Sequence, residues 1–167
     1  MEQKLLEKLY NSYYKEIYLY LYSMCKRKET AEDIVQETFL KALLALPKNH
    51  NNLRAWLYMV ARNIYLNTYK KEKRIIYTED ISNDIKDNSD EILNSILKLE
   101  QSRMLHQALM RLEERKREIL VLHYFGGLKL KEIAALMKIT TENVKIIIYR
   151  GRNELKKSME ENGYDIS

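Results

Sequence analysis

The stretch from Lys129 to Lys157 constrains this chain more than any other, because it carries two helical apolar stripes separated by a turn of three or four residues. Ile133, Ala134, Leu136 and Met137 form the first stripe; Val144, Ile147, Ile148, Gly151 and Leu155 form the second. Thr140 stands just before the second stripe, where its hydroxyl can accept an orphan N–H of the first helical turn. At 3.6 residues per turn, Lys145, Tyr149, Arg152, Asn153 and Lys156 fall on the face opposite the apolar side, flanked by Ile146 and Arg150. A second helix with a cationic, hydrogen-bonding outer face suits a major-groove reader. The same pattern also fits an ordinary solvated helical hairpin.

The rest of the chain is read as helical too. Four glycines and one proline among 167 residues leave few turn formers, and the 3.6-residue periodicity recurs throughout, so the expected fold class is all-α. Residues 2–28 read as a helix or helical pair, with Leu5, Leu9, Tyr13, Ile17 and Leu21 stepping by four. Thr30-Ala31-Glu32-Asp33 has the form of a capping box, which predicts a helix beginning at Ala31. Its inner side is Ile34, Val35, Thr38, Phe39, Ala42, Ala45 and Leu46; Asp33, Gln36, Glu37, Leu40 and Leu44 share the other. Outward leucines among carboxylates suit a docking surface, and periodicity alone allows equally that a neighbouring helix covers them.

A polar break at Pro47–Asn52 precedes one long predicted helix, Leu53 to Arg74. Leu53, Trp56, Leu57, Val60, Ala61 and Ile64 are assigned to its inner side, and Arg54, Tyr58, Arg62, Tyr65 and Tyr69 to its outer side. Aromatics interleaved with cations, followed by Lys70, Lys71, Lys73 and Arg74, can stack unpaired bases beside a backbone-binding cluster. A solvated face with cations at a helix C-terminus is the competing reading. Between Ile75 and Glu91 six acids face a single lysine, Lys86, among serines and asparagines, a composition expected of a flexible linker. The expected organisation is therefore two small helical domains, 1–74 and 92–160, joined by an acidic linker over 75–91, with the helix-turn-helix in the second.

Other functions are excluded by what the residues lack. His50, His106 and His123 are far apart with no ligand at metal spacing, no glycine-rich phosphate loop occurs, and a lone Cys25 supports neither a disulfide nor a nucleophile site. No catalytic residue, metal or cofactor is expected, nor membrane insertion: no apolar run approaches the ~18 residues a span requires. The net charge of +5 favours a polyanionic partner and the lone thiol a reducing compartment, hence the cytoplasm.

Three segments in this order, AEDIVQETFLKAL (31–43), LRAWLYMVARN (53–63) and LKEIAALMKITTENVKIIIYRGRNEL (130–155), resemble the extracytoplasmic-function, or group IV, sigma factors of bacterial RNA polymerase. The resemblance implies a non-catalytic specificity subunit that binds core polymerase and directs promoter-specific initiation. It implies that Asp33, Gln36, Glu37, Leu40 and Leu44 dock on the clamp helices of the largest subunit, with Phe39 supporting from the core. Contacts to the promoter −10 element are expected from Asn51, Asn52, Tyr58, Arg62, Asn63, Tyr65 and Lys70, and to the −35 element from Thr141, Lys145, Ile146, Tyr149, Arg150 and Arg152. An anti-sigma factor is expected as a further partner by resemblance alone. The chain departs from the family at Lys138, where glycine is usual in the turn; at Ile146-Ile147, where a Ser-Arg pair is common; and at Asn67, often aspartate. Loss of that arginine favours apolar contact with thymine methyls and an A/T-rich −35 element. The alternatives are a stand-alone helix-turn-helix regulator, which would bind its operator without polymerase, and an adaptor that binds polymerase without selecting promoters.

Overall fold

The computed structural model of the protein describes residues 2–45, 52–69 and 100–161, and all regular structure among these is helical. The readings for Asn51, Lys70, the turn over 47–51, the basic end of the long helix and the 75–91 linker lie outside the described residues. The chain forms two compact units, Met1–Ser89 and Asp90–Ser167.

In the first unit α1 (Glu2–Cys25), α2 (Lys28–Ala45) and α3 (Leu53–Ile64) pack on one another around Ile17, Leu21, Met24, Ile34, Val35, Phe39, Leu57, Ala61 and Ile64. Helix α1 stops without glycine: Lys26 adopts the left-handed conformation at φ 59°, and its N–H donates to the Tyr22 carbonyl at 2.8 Å. This cap corrects the expected start of the next helix. The Ala31 N–H donates to the Arg27 carbonyl at 3.0 Å, so Lys28, Glu29 and Thr30 already form the first turn of α2, and Thr30 does not precede it. Thr38 is buried because its hydroxyl donates to the Ile34 carbonyl within the helix, at 2.7 Å. Helix α3 ends at Ile64 and gives way to a widened π turn over Tyr65–Tyr69, where an unbroken helix was expected. Tyr65 is buried at that junction, with its hydroxyl donating to the Met24 carbonyl at 3.3 Å.

The second unit contains α4 (Glu100–Arg111), α5 (Glu114–Leu120) extended by a π turn over Val121–Phe125, α6 (Leu130–Met137) and α7 (Thr141–Glu161). Its core is Ala108, Leu109, Leu112, Ile119, Leu120, Val121, Leu122, Leu128, Ile133, Val144, Ile148 and Met159. Arg117 is buried beside them, with its guanidinium donating to the Leu112 carbonyl at 2.9 Å, so a polar group is satisfied where α4 ends. Gly127, at φ 66°, turns the chain towards α6, and the Leu128 N–H returns to the Leu122 carbonyl at 3.1 Å. Helix α6 opens with the Lys129 N–H donating to the Glu132 carboxylate at 2.8 Å and closes on Lys138 in the left-handed region, φ 58° and ψ 45°. Thr140 caps α7 as its position implied, its hydroxyl accepting the Asn143 N–H at 3.1 Å. Gly151 faces α5 so closely that a Cβ built there would stand 3.0 Å from Leu120 Cδ1.

Candidate functional site

Three surfaces carry the residues singled out from the sequence. On α2, Asp33, Gln36, Glu37, Leu40 and Leu44 are all exposed, Leu40 by 56% and Leu44 by 78%. No described helix covers these leucines. Phe39 lies beneath them, 5% exposed, edge-on to the Tyr10 ring at 5.1 Å. That contact brings α1 into the surface: a groove of about 580 Å³ runs between Leu6, Tyr10 and Asn11 on one side and Asp33, Gln36 and Leu40 on the other. The α1 half was missed from sequence because Leu6 and Tyr10 are not part of the i, i+4 row through Leu5 and Leu9.

The second surface, on α3, corrects the sequence reading. Tyr58 and Tyr65, expected on the outer side, are 1% and 2% exposed. Tyr58 packs edge-on to Tyr20 at 5.2 Å, and its hydroxyl donates to Glu16 Oε1 at 3.0 Å. Burial holds its phenol well above the usual tyrosine range, with the Glu16 charge acting in the same direction, so it remains an O–H donor. Neither ring is available to stack a base. One row along α3 and its two ends reaches solvent at Asn52, Met59, Asn63 and Asn67, bordered by half-buried Trp56 and Arg62, while Arg54 is exposed on another side of the helix. The spacing of 52, 56, 59, 63 and 67 was a visible helical row, but counting tyrosine as a polar, outward residue hid it. Trp56, assigned inward, sits at the margin of this row, with neighbouring Met59 40% exposed.

Behind that face Glu16 holds two partners at once. Arg54 Nε lies 3.3 Å from the same Oε1 that accepts from Tyr58, and the Arg54 guanidinium stands 5.4 Å from the centre of the Tyr13 ring. Burial raises the Glu16 carboxyl above its ordinary range, although Tyr58 and Arg54 pull it back.

The third surface is the outer side of α7. Lys145, Ile146, Tyr149, Arg150, Arg152, Asn153 and Lys156 are exposed, Tyr149 by 69%, and Thr141 is half-buried at the helix start. Lys145 is paired one turn back with Glu142 at 3.5 Å. Lys116 of α5 meets Glu154 at 2.5 Å, a tie that together with Val144, Ile148 and Gly151 holds the helix on its unit. Cys25 is buried outside any disulfide, and its thiol donates to the Arg27 carbonyl at 3.4 Å. Among the described residues no cluster of potential metal ligands occurs, and no helix is long and apolar enough to cross a membrane.

Comparison with known proteins follows the same two units. The Sigma-70 region 2 family model matches residues 9–75, and the Sigma-70 region 4 model matches residues 102–155. RNA polymerase sigma factor YlaC of Bacillus subtilis (strain 168) is 34% identical over 161 residues, covering 92% of this chain and 91% of the relative. ECF RNA polymerase sigma factor SigM of the same organism is 30% identical over 153 residues, covering 90% and 93%. Among solved structures, the sigma factor RpoE in complex with the anti-sigma factor NepR, from Bartonella quintana, superposes with a TM-score of 0.71 at 20% identity, covering 94% of this chain and 98% of that one. CnrH in complex with the cytosolic domain of CnrY gives 0.64 at 22% identity, covering 95% and 90%. At those identities the two structures speak to the fold.

Proposed function

The chain belongs to the extracytoplasmic-function sigma factors, and from that premise we propose how its three surfaces divide the work of promoter recognition. It is an alternative sigma factor that directs RNA polymerase to initiate transcription. As such it is a dissociable specificity subunit acting beside polymerase in the cytoplasm, with the nucleotide chemistry left to core enzyme. The observation that carries the division of labour is that α2, α3 and α7 each present a row of exposed side chains suited to a different partner.

On α2, Leu40 and Leu44 among Asp33, Gln36 and Glu37 dock on the clamp helices of the largest polymerase subunit. Apolar anchors would be desolvated at the centre while the carboxylates and amide pair with basic partners at the rim. On α3, Asn52 and Asn63 offer amides to base edges, Met59 and Trp56 offer apolar contact, and Arg62 lies beside them. Asn51 and Lys70 join this −10 proposal on sequence alone. By holding unpaired non-template bases better than the duplex, this row would favour the melted promoter. On α7, Lys145, Arg150 and Arg152 would engage phosphates or base acceptors, and Thr141, Ile146 and Tyr149 would contact base edges of the −35 element. With Ile146 exposed by 46%, apolar contact with thymine methyls favours an A/T-rich element. Two DNA readers on one chain combine through effective concentration, so neither needs to bind tightly alone.

RpoE and CnrH are each solved with a partner, NepR an anti-sigma factor and CnrY through its cytosolic domain. We extend the same mode of control to this chain, with the α2 groove as a surface that such a partner would compete for. The test of the whole reading is run-off transcription from genomic upstream fragments with core polymerase. Discrete starts that appear only with this protein support it. Operator footprints formed without core polymerase would favour a stand-alone regulator instead.

A further inference from the structure

We propose that Arg54 is a phosphate fork for the promoter strand at the seam between α1 and α3, and that Glu16 and Tyr13 are positioning residues that hold it there. The inference rests on the assignment of the α3 face to the −10 element.

Arg54 is the exposed basic side chain of α3, 43% accessible in the first turn of the helix. It is fixed on two sides. The Nε edge is taken by the Glu16 carboxylate at 3.3 Å, and the guanidinium lies against the Tyr13 ring at 5.4 Å. The guanidinium carries five N–H donors, and the one on Nε is the one that faces Glu16. What remains available is the planar two-donor edge that matches a phosphate bidentately, presented by a side chain whose rotamers are already restricted. Glu16 is itself held, since the buried Tyr58 hydroxyl donates to the same oxygen. A core tyrosine, a half-buried carboxylate and a surface arginine thus form one chain of contacts from the interior to the surface. An ordinary exposed ion pair has no such anchor.

The position gives the strand a direction. With 3.6 residues per turn, Arg54 points roughly 140–180° around the helix axis from Met59 and Asn63. It therefore cannot share a base-reading face with them. A strand whose bases lie on the row from Asn63 to Asn52 must leave across the N-terminal end of α3, where half-buried Tyr13 and Arg54 form the neighbouring surface. A backbone phosphate there meets the fork after the bases have been read.

The experiment uses the full chain with core polymerase on a promoter it opens, and follows open-complex lifetime against KCl concentration. Arg54→Ala is expected to shorten the lifetime about fivefold or more and to reduce the log–log salt slope by ~0.7, the value for one phosphate contact on a single strand. Glu16→Gln keeps the arginine and removes a negative charge near DNA. Positioning requires the lifetime to shorten all the same, while a merely competing charge would lengthen it. An unchanged or longer lifetime in Glu16→Gln overturns the positioning role. Asn63→Ala serves as the control for the −10 reading: if it shortens the lifetime and Arg54→Ala leaves both lifetime and slope unchanged, the fork is refuted while the reading stands. If Asn63→Ala and Met59→Ala are both without effect, the −10 assignment itself falls, and the fork with it. Competition for core polymerase provides the last arm. Arg54→Ala that binds core as the wild type does is expected, whereas lost core binding reassigns the arginine to a polymerase carboxylate and overturns the proposal.

Discussion

Replacing Leu40 and Leu44 together by alanine separates docking from folding. Fully burying a leucine side chain contributes about 1.5–3 kcal/mol. In the free protein Leu40 is 56% and Leu44 78% exposed, so most of that contribution is still to be realised when a partner covers them. Scaling by the exposed fractions gives about 2–4 kcal/mol for complete coverage, of which alanine retains part. A loss of about 1.4 kcal/mol is tenfold in affinity, so the double variant is expected to bind core polymerase roughly ten- to a hundredfold more weakly. Stability should hardly change, because substitutions at exposed positions usually stay within about 0.5 kcal/mol. The assay is displacement of labelled wild-type protein from core polymerase, with urea unfolding measured in parallel. A variant that unfolds at the wild-type midpoint and still competes within about twofold would refute the docking role of these leucines.

Tyr58→Phe keeps the ring against Tyr20 and removes the donor to Glu16; it should cost about 1–2 kcal/mol in urea unfolding, whereas Tyr58→Ala should cost about 3–5 kcal/mol. Because burial raises the Glu16 carboxyl in the folded state, its contribution to stability is full below the ordinary glutamate range and is lost as pH rises through its raised value. The stability of wild type relative to Glu16→Gln should accordingly fall as pH rises from the ordinary glutamate range through the raised one, and a flat difference would contradict that environment. Lys138→Gly removes a left-handed non-glycine residue and should raise the thermal midpoint, by up to about 1 kcal/mol of stability. Gly151→Ala gains about 1 kcal/mol of helix propensity but presses on the buried Leu120, where overpacking costs about 1–3 kcal/mol, so a net loss is expected in the same melts.

The faces of α2 and α7 were legible because long helices sort charged from aliphatic residues, and Leu40 or Lys145 can be placed by angle alone. Thr140 was legible as a cap for the same local reason. Tyrosine defeats that logic. The Tyr58 and Tyr65 rings enter the core because their hydroxyls find Glu16 and the Met24 carbonyl, partners 42 and 41 residues away that no local pattern shows. The start of α2 was misplaced since Lys26 adopts a left-handed conformation that its residue type does not announce. Arg54 could be seen as basic and outward, but its orientation depends on α1, so only the fold reveals what holds it.

If α7 reads the −35 element as proposed, the close approach of Gly151 to Leu120 bears on how finely it can address DNA. With no Cβ in the way, the two helices touch almost backbone to side chain, and the contact acts as an angular stop. Side-chain tips lie about 5–6 Å from a helix axis, so a roll of some 10° shifts them by about 1 Å, a sizeable fraction of a hydrogen-bond length. The tolerance of a single van der Waals contact on the inner side is thereby the aiming error of Lys145, Tyr149 and Arg152 on the outer side. Promoter discrimination by this chain would then be tunable from Leu120, a residue that never meets a base.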